Sequence, residues 1–360
     1  MTQNIVHQLI HTLSYGDAIS GETIAMQRAL RELGFVSEIY AINVHPHYKA
    51  RAQEYGVRNY QELRKDQQGE VILHYSLGSP LNKLYRELTG YKRTLIYHNL
   101  TPPKWFYGVN PRIVADIESG MSELPELCQI SDRLISDSKF NAGELAKFGF
   151  SSAVLELPVD PARWSEPANP GILGILRSQP GINLVHIGRI APNKCIEDVI
   201  KVFYFLRHFI DKNARLWLPG IDIDTELYSF SLKRLVHELS LEDSVNFCGC
   251  MADSELRALY EAGSLYLCMS EHEGFCVPVI EAMYFGMPVV AFNSSALPDT
   301  VGDGGIIFNE KRHNEIAELV FEVGSDTQLR RDLITRGKQR VSELSYDRFK
   351  LAVEKLFDKR

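Results

Sequence analysis

Short runs of β-branched and apolar residues alternate along the chain with longer amphipathic segments. In the first half, these runs predict strands at residues 5–10, 36–41, 71–75, 94–98 and 133–136. Helices are predicted between them at residues 22–33, 81–89 and 141–148. The first helix is followed by Gly34, where a C-cap belongs. Strands that alternate with helices predict βαβ units and a parallel sheet.

The alternation stops at a segment rich in chain breakers and then resumes. Residues 157–181 hold five prolines and three glycines, which predicts an interdomain linker at residues 161–181. Further strands are predicted at residues 184–187, 215–218, 244–247, 265–269 and 288–291. Further helices are predicted at residues 195–210, 226–239, 253–261, 278–285, 314–323 and 327–343. We therefore expect two doubly wound α/β domains, at residues 1–160 and 182–345, with a last helix that fits either half by its pattern.

Length and composition narrow the class of protein. A chain of 360 residues is long enough for two cores, and its net charge of −7 gives no general attraction to nucleic acid. The N-terminus lacks a basic start followed by an apolar run, and no run of 18 apolar residues occurs, so neither a signal peptide nor a transmembrane helix is expected. The six cysteines lie mostly in apolar runs, which is typical of buried, reduced thiols. Together these features predict a cytoplasmic protein.

The loop after the strand at residues 184–187 carries two cations. Gly188 allows a close approach of the backbone, and Arg189 and Lys194 can converge beside the N-terminus of the next helix. Two cations and unpaired amides favour a diphosphate, whose growing charge they can stabilise without a metal as a glycosyl bond opens. The alternative is a pair of solvated cations in an ordinary turn.

A second loop and the helix after it place two carboxylates with seven residues between them. Glu273 follows the strand at residues 265–269, and Glu281 lies about one turn into the next helix. Carboxylates accept hydrogen bonds from the paired hydroxyls of a sugar or a ribose. The backbone amides of Gly274, Phe275 and Cys276 can donate to hydroxyls or phosphate oxygens. The alternatives are general acid–base catalysis and glutamates that only favour the helix dipole.

Two loops of the first half add candidate residues. Gly16 and Asp17 lie between the first strand and the first helix, where a glycine loop can press its amides against a phosphate. The segment matches neither GxGxxG nor a Walker sequence, so an ordinary loop is the alternative. His98 ends another strand and is placed to donate to a sugar hydroxyl or to take the proton of an acceptor. A structural histidine is the alternative there.

Two other signals have simpler explanations. Asp222 and Asp224 form a DxD pair, but the only other acidic residue nearby is Glu226, so we do not expect a metal site. A basic segment is interleaved with leucines and tyrosines, its cations being Lys83, Arg86, Lys92 and Arg93. Contact with a membrane surface or an anionic acceptor is one interpretation of this segment, and a solvated face is the simpler one.

The motifs together resemble a known family. GRIAPNK, followed later by HEGFCVPVIEAMYFGMPVVAF, is similar to the retaining glycosyltransferases of family 4, and EGFCVPVIE resembles their E-x7-E motif. YGDAISGE and YHNLTPP are similar to members that act on bacterial polysaccharides. The resemblance covers nearly the whole chain and implies the GT-B fold, in which two Rossmann-like domains face a central cleft. It also implies that the last helix, at residues 346–360, packs back on the N-terminal domain.

The resemblance also implies a role for each candidate residue. Arg189 and Lys194 would hold the diphosphate of the donor, and His98 would lie over its sugar. Glu273 would bind the sugar hydroxyls and Glu281 the ribose. The remaining donor-binding residues would be Gly16, Asp17, Gly188, Gly249, Cys250, Met251, Gly274, Phe275, Cys276 and Val277. The residues behind the sugar would be Phe292, Asn293 and Ser294.

The expectation is thus a retaining, metal-independent glycosyltransferase without a cofactor. It would move a sugar from a nucleoside diphosphate donor, such as a UDP- or GDP-sugar, to a saccharide or lipid-linked acceptor, in surface-polysaccharide or glycoconjugate synthesis. Peripheral contact with the inner face of the membrane stays open. Two alternatives remain: a nucleotide-sugar epimerase of the same fold, which needs no separate acceptor, and a non-catalytic subunit that binds a sugar nucleotide.

Overall fold

A computed structural model describes residues 4–65, 67–178 and 180–357, which form two compact units. The first unit takes in the described residues up to 103, residues 112–158 and the described residues from 344 onward. The second takes in residues 104–111 and the described residues from 159 to 343. The first unit is therefore built from both ends of the chain.

Parallel strands form the sheet of the first unit. Within its described residues these strands are β1 (Val6–Leu13), β2 (Ile39–Val44), β3 (Val57–Asn59), β4 (Gly69–Tyr75), β5 (Tyr91–Tyr97), β6 (Arg133–Ser136) and β7 (Ala153–Val154). Their order is β3-β2-β1-β4-β5-β6-β7, which is typical of a Rossmann fold. The strand order reverses between β1 and β4, so the carboxyl ends of these two strands mark the position where such sheets bind ligands.

The second unit repeats this topology. In its described part the strands are β8 (Asn183–Val185), β9 (Arg215–Pro219), β10 (Val245–Gly249), β11 (Leu265–Cys268), β12 (Val289–Phe292) and β13 (Ile306–Phe308). Their order is β10-β9-β8-β11-β12-β13, all parallel. The order reverses between β8 and β11, which places the ligand-binding edge of this sheet at the loops that follow these two strands.

Helices connect the strands on both faces of each sheet. The helices of the described chain are α1 (Ala18–Glu32), α2 (Pro46–Lys49), α3 (Ala52–Tyr55), α4 (Pro80–Glu87), α5 (Pro111–Gln129), α6 (Lys139–Lys147), α7 (Pro170–Ser178), α8 (Ile196–Phe205), α9 (Glu226–Glu238), α10 (Asp253–Ala262), α11 (Val277–Tyr284), α12 (Leu297–Val301), α13 (His313–Ser325), α14 (Thr327–Glu343) and α15 (Tyr346–Phe357). None of these helices is both long enough and apolar enough to cross a bilayer.

Alternation along β4 shows how the sheet of the first unit is buried on both faces. Val71 and Leu73 belong to one apolar cluster, whereas Ile72 belongs to another on the opposite face. The second cluster also takes in residues of α1 and α15, including Phe349 and Val353. The last helix of the chain thus supplies core side chains to the first unit.

In the segment predicted as a linker, residues 161–181, most of the described residues lie in regular structure instead. It contains a 3₁₀ turn at Pro161–Trp164 and helix α7. Trp164 packs edge-on against Tyr260 and Phe285, with ring centroids 5.7 and 5.1 Å away. The prolines act here as helix starters, since Pro161 and Pro170 each begin an element. The segment therefore belongs to the second unit.

Candidate active site

The loops that follow β8 and β11 meet at the switch point of the second sheet. β8 and β11 are hydrogen-bonded neighbours, so the residues after Val185 and after Cys268 emerge side by side. Asn193 joins the two loops, because its side-chain amide donates to the carbonyl of His272 at 2.9 Å and its own carbonyl accepts from the amide of Glu271 at 3.0 Å. The sequence therefore brings two of its candidate segments together at this edge.

Lys194 and Glu273 form an ion pair where these loops meet. The ammonium Nζ lies 2.6 Å from Oε1 and 2.7 Å from Oε2 of the carboxylate. The side chain of Lys194 is 18% exposed and that of Glu273 is 7% exposed. Burial alone would lower the pKa of Lys194, but the charge of Glu273 outweighs burial and raises it. Lys194 is therefore a fixed cation throughout the physiological pH range.

The loop around Glu273 is held by hydroxyl groups that the sequence pattern did not reveal. The backbone amide of Glu273 donates to the hydroxyl of Ser295 at 2.8 Å, and Thr300 donates to the carbonyl of Phe275 at 2.6 Å. Cys276, directly before α11, has φ = 79°, a conformation that few residues other than glycine adopt. These contacts hold Gly274, Phe275, Cys276 and Val277 at the start of α11. Pro278 lies in its first turn, as predicted.

Glu281 lies on α11 in a separate, buried charge cluster. Its Oε1 accepts from Nη1 of Arg163 at 2.5 Å, and its Oε2 accepts from the hydroxyl of Tyr260 at 2.7 Å. Arg163 also donates to Asp253, at 3.0 and 3.2 Å. Burial alone would lower the pKa of Arg163, but the two carboxylates raise it. Glu281 is thus ordered by protein partners, which the sequence pattern did not indicate because they lie far from it along the chain.

Arg189 has a different environment from Lys194. The residue is exposed, and its Nη2 donates to the backbone carbonyl of Ile223 at 2.9 Å. The turn before it is tight: a Cβ on Gly220 would lie 1.8 Å from the carbonyl oxygen of Gly188, so only glycine fits at position 220. Arg189 therefore follows β8 at the predicted edge, with its guanidinium on the loop after β9 and not on the Lys194–Glu273 pair.

The other candidates of the second unit lie further from the ion pair along the sheet edge. Gly249 ends β10, the outermost strand, with φ = 64°, and Cys250 after it is exposed. Met251 is half-buried. The residues after β12 hold loops to one another: Asn293 donates to Asn309 at 2.7 Å, and Ser294 donates to the carbonyl of Ser270 at 2.6 Å.

In the first unit, Gly16 and Asp17 form the entry to α1. Gly16 has φ = 80°, and both residues are exposed. The carboxylate of Asp17 is the N-cap and accepts from the backbone amide and the hydroxyl of Ser20, at 3.0 and 2.9 Å. Asp17 therefore has a structural role of its own at the predicted phosphate loop.

His98 lies directly after β5 and is almost fully buried. Its Nε2 is 2.9 Å from Nδ1 of His74, and its Nδ1 faces two carboxylates, Asp137 at 3.3 Å and Glu22 at 3.4 Å. The sequence pattern indicated His98 but none of these partners. Glu22 was missed because it stands in an amphipathic helix, where a glutamate normally faces solvent.

The DxD pair and the basic segment, for which no ligand was expected, have ordinary structural environments. Asp224 has φ = 65° in the loop after β9, and its backbone amide donates to Glu226 at 3.1 Å. In the basic segment, Tyr85 and Tyr91 are buried in the core, and Arg86 is paired with Glu123 and Glu126. The aromatic and basic residues of this segment do not form one surface patch.

Comparison with known proteins relates the chain to glycosyltransferases. The chain has the GT-B fold of two Rossmann-like domains. It resembles a crystal structure of Anabaena Alr3699/HepE in complex with UDP and glucose, with a TM-score of 0.78, 15% identity and 98% and 99% of the two chains covered. Residues 177–340 match the model of the family of glycosyl transferases group 1.

Named relatives match part of the chain. O-antigen chain mannosyltransferase B of Escherichia coli is 27% identical over 165 residues, which cover 45% of this chain and 42% of that protein. GDP-mannose:cellobiosyl-diphosphopolyprenol alpha-mannosyltransferase of Xanthomonas oryzae pv. oryzae is 28% identical over 163 residues, which cover 42% and 41%. The matched segment spans less than half the length of these relatives.

Proposed function

We propose that the chain is a retaining glycosyltransferase that moves a sugar from a nucleoside diphosphate donor to a saccharide or lipid-linked acceptor. The observation that carries the proposal is the buried Lys194–Glu273 pair at the switch point of the second sheet, inside the segment that matches glycosyl transferases group 1. Synthesis of a surface polysaccharide or glycoconjugate, carried out on the cytoplasmic side of the membrane, is the setting that fits the O-antigen and the polyprenol-linked substrate in the relatives' names.

Lys194 supplies the electrostatic part of the mechanism. Glu273 accepts two hydrogen bonds from the ammonium, which leaves a third N–H for a phosphate oxygen. As the bond between the anomeric carbon and the diphosphate breaks, negative charge grows on the leaving oxygen, and a cation already in place stabilises it. The acceptor hydroxyl attacks from the same face, and its proton passes to the departing diphosphate, so the configuration is retained. No metal is needed for this charge balance.

Arg189, Glu273 and Glu281 bind the other parts of the donor. Arg189 is exposed after β8 and is free to leave the carbonyl of Ile223 for a diphosphate oxygen, because that exchange replaces one neutral hydrogen bond by a charge-assisted one. Glu273 accepts from sugar hydroxyls while it stays paired with Lys194. Glu281 accepts from the ribose, which weakens its bonds to Arg163 and Tyr260.

The donor is the first thing to test. GDP-mannose is the leading candidate, because both relatives described above are named mannosyltransferases. The full chain is incubated with GDP-mannose, UDP-glucose and other nucleotide sugars, and donor binding is measured as a rise in melting temperature, since a ligand of the native state stabilises it. The proposal predicts binding of at least one donor and acceptor-dependent release of its nucleoside diphosphate. Conversion of a donor into its epimer without acceptor would contradict it.

A further inference from the structure

A row of buried polar side chains crosses the first unit from the first half of β1 to the carboxyl ends of β4 and β5. It runs from Gln8 through His74 to His98 and ends at Glu22 and Asp137. All five residues are at most 6% exposed. Buried polar groups of this kind are costly unless each has a partner, so their arrangement has to be accounted for proton by proton.

The positions of the protons in this row of side chains can be assigned by starting at Gln8. The amide Nε2 of Gln8 donates to the backbone carbonyl of Thr23 at 3.1 Å, which turns Oε1 of Gln8 toward His74. Nε2 of His74 therefore carries a proton and donates to Oε1 at 2.8 Å. Burial and the charge of His98 hold the pKa of His74 well below its usual value, so this ring is neutral and its Nδ1 is an acceptor. His98 must then donate from Nε2, across 2.9 Å.

The other nitrogen of His98 faces two acids. Nδ1 lies 3.3 Å from Oδ2 of Asp137 and 3.4 Å from Oε2 of Glu22. Asp137 is itself fixed by Asn141, which donates to its Oδ1. Neither oxygen of Glu22 has a hydrogen-bond partner among the described residues, although the side chain is fully buried. A buried carboxyl group without donors is stable only beside a positive charge or with a proton of its own.

We infer that Glu22 and Asp137 are positioning residues that hold His98 as a doubly protonated imidazolium, with both of its nitrogens committed to the protein. This inference rests on the proposed function and deepens it. His98 then acts as a fixed charge after β5 and not as the base that takes the acceptor proton. The proton passes instead to the departing diphosphate, as the mechanism above requires.

The electrostatics of the cluster agree with the geometry. Burial alone would lower the pKa of His98, but Glu22 and Asp137 outweigh burial and raise it, with a smaller contribution from Asp17. Burial raises the pKa of Glu22 to about 7, and the negative charge of Asp137 adds to this, whereas the charge of His98 opposes it. Glu22 therefore carries the exchangeable proton of the cluster, and loses it as the pH rises through 7.

The loop that carries His98 is ordered by a second set of contacts. The backbone amide of His98 donates to the carbonyl of Tyr75 at 2.9 Å. Asn99 has φ = 83° and donates to both Asn141 and Glu144, at 2.8 and 2.7 Å. The side chain of Asn141 thus contacts both Asp137 and Asn99. Asn141 of α6 therefore links the loop to the carboxylate of Asp137 that faces the imidazole.

The test is a ring-nitrogen titration of the full chain. Selective ¹⁵N labelling of histidine, with His98→Gln to assign the signal, reports the two nitrogens of His98 directly. We expect both to be protonated at pH 7. In Glu22→Gln we expect the midpoint of His98 to fall by about one pH unit, a tenfold change in proton affinity, because one of two carboxylates is neutralised. Asp137→Asn should act in the same direction.

The matched control is Glu32→Gln, the same change at an exposed position of the same helix, where the glutamate pairs with Lys350. This variant should titrate as the wild type does. A neutral His98 in the wild type at pH 7, or an unchanged midpoint in Glu22→Gln, would overturn the inference. If Glu22→Gln fails to fold, the wild-type signal decides alone.

Transfer activity gives an independent measurement. In Glu22→Gln the alkaline limb of kcat/KM should move to lower pH, because His98 loses its proton at a lower pH. A purely structural defect would lower the rate at every pH by the same factor. If the wild type transfers no sugar from any donor, the proposed function fails, and the nitrogen titration still tests the state of His98.

Discussion

Lys194 and Glu273 are 79 residues apart in the chain, yet both carboxylate oxygens of Glu273 lie within 2.7 Å of the Lys194 ammonium. The two loops that carry them are neighbours because β8 and β11 pair at the point where the strand order reverses. Since the pair is largely buried, removal of one member leaves the other charge without compensation. Stability and function are therefore linked at this site.

A double-mutant cycle separates the effect of the ion pair on stability from its effect on sugar transfer. Lys194→Met should lower the free energy of unfolding by about 3 kcal/mol, because Glu273 is left buried and unpaired. Lys194→Met combined with Glu273→Leu should recover most of that loss in urea unfolding. Sugar transfer should stay reduced by about 100-fold or more in both, since the cation that stabilises the leaving group is missing. Recovery of transfer in the double variant would show that Lys194 acts only through stability.

Substitution of Arg189, in contrast to that of Lys194, should reduce sugar transfer without lowering stability. Its guanidinium is exposed and bonds to a backbone carbonyl, so Arg189→Ala should change the free energy of unfolding by less than about 1 kcal/mol. Transfer should fall by roughly 100-fold if the guanidinium binds the diphosphate. A steady-state rate close to that of the wild type would remove Arg189 from the mechanism.

The architecture of both sheets followed from the sequence, but several elements did not. The buried strands β4, β5 and β11 were predictable because their residues form short, continuous apolar runs. Helix α5 was missed because Gly120 and Pro125 interrupt its pattern. It forms nonetheless, since Leu124 and Leu127 are buried in the core and the hydroxyl of Tyr75 donates to the carbonyl of Gly120 at 2.6 Å. Tertiary packing outweighs local propensity there.

The candidate site was predictable only where its residues stand in loops after strands. Lys194 and Glu273 carry such a signal, because polar residues directly after a buried strand point to a ligand edge. Arg163 carries none, since it stands among prolines in a segment that resembles a linker. Its role becomes visible only when Asp253 and Glu281 are brought to it by the fold. Pairings between distant segments are not encoded in local pattern.

Arg163 should be much more sensitive to substitution than an arginine in an exposed ion pair. Arg163→Met leaves the carboxylates of Asp253 and Glu281 close together and buried, so the free energy of unfolding should fall by about 3–5 kcal/mol. Arg234→Met is the control, because its pair with Glu238 is exposed and should contribute less than about 1 kcal/mol. Urea unfolding measures both, and equal losses in the two variants would contradict the interpretation.

Acid should destabilise the protein between pH 6.5 and 4. Burial lowers the pKa values of His7, His186 and His272 to about 4, so the unfolded chain binds more protons than the folded one in this range. Each of these histidines adds stability that is present above pH 6.5 and is lost as the pH falls through 4. Glu22, whose pKa is raised, opposes this trend between pH 7 and 4.5.

His186 offers a single-site check of that pH dependence. Its Nδ1 bonds to the carbonyl of Leu267 at 2.9 Å, a contact that a glutamine amide can replace. Between pH 6.5 and 4, the free energy of unfolding of His186→Gln should therefore fall by roughly 3 kcal/mol less than that of the wild type. Parallel profiles for His186→Gln and the wild type would contradict the prediction.

Transfer should continue in EDTA, because Lys194 and Arg189 are proposed to stabilise the leaving diphosphate. The assay compares the initial rate in EDTA with the rate in excess Mn²⁺, and the two should agree within about twofold. Complete loss of transfer in EDTA with recovery in Mn²⁺ would contradict this. Asp222 and Asp224 would then be the first residues to substitute.

The place of α15 has a consequence for how the protein is made. Phe349, Val353 and Phe357 fill part of the core of the first unit, beside residues of α1 such as Met26. During translation, that core lacks one of its walls until the residues of α15 have left the ribosome. The second unit is contiguous apart from residues 104–111 and can close its sheet earlier. A chain cut before residue 344 should therefore lose the folded core of the first unit, although the cut lies more than 300 residues after α1.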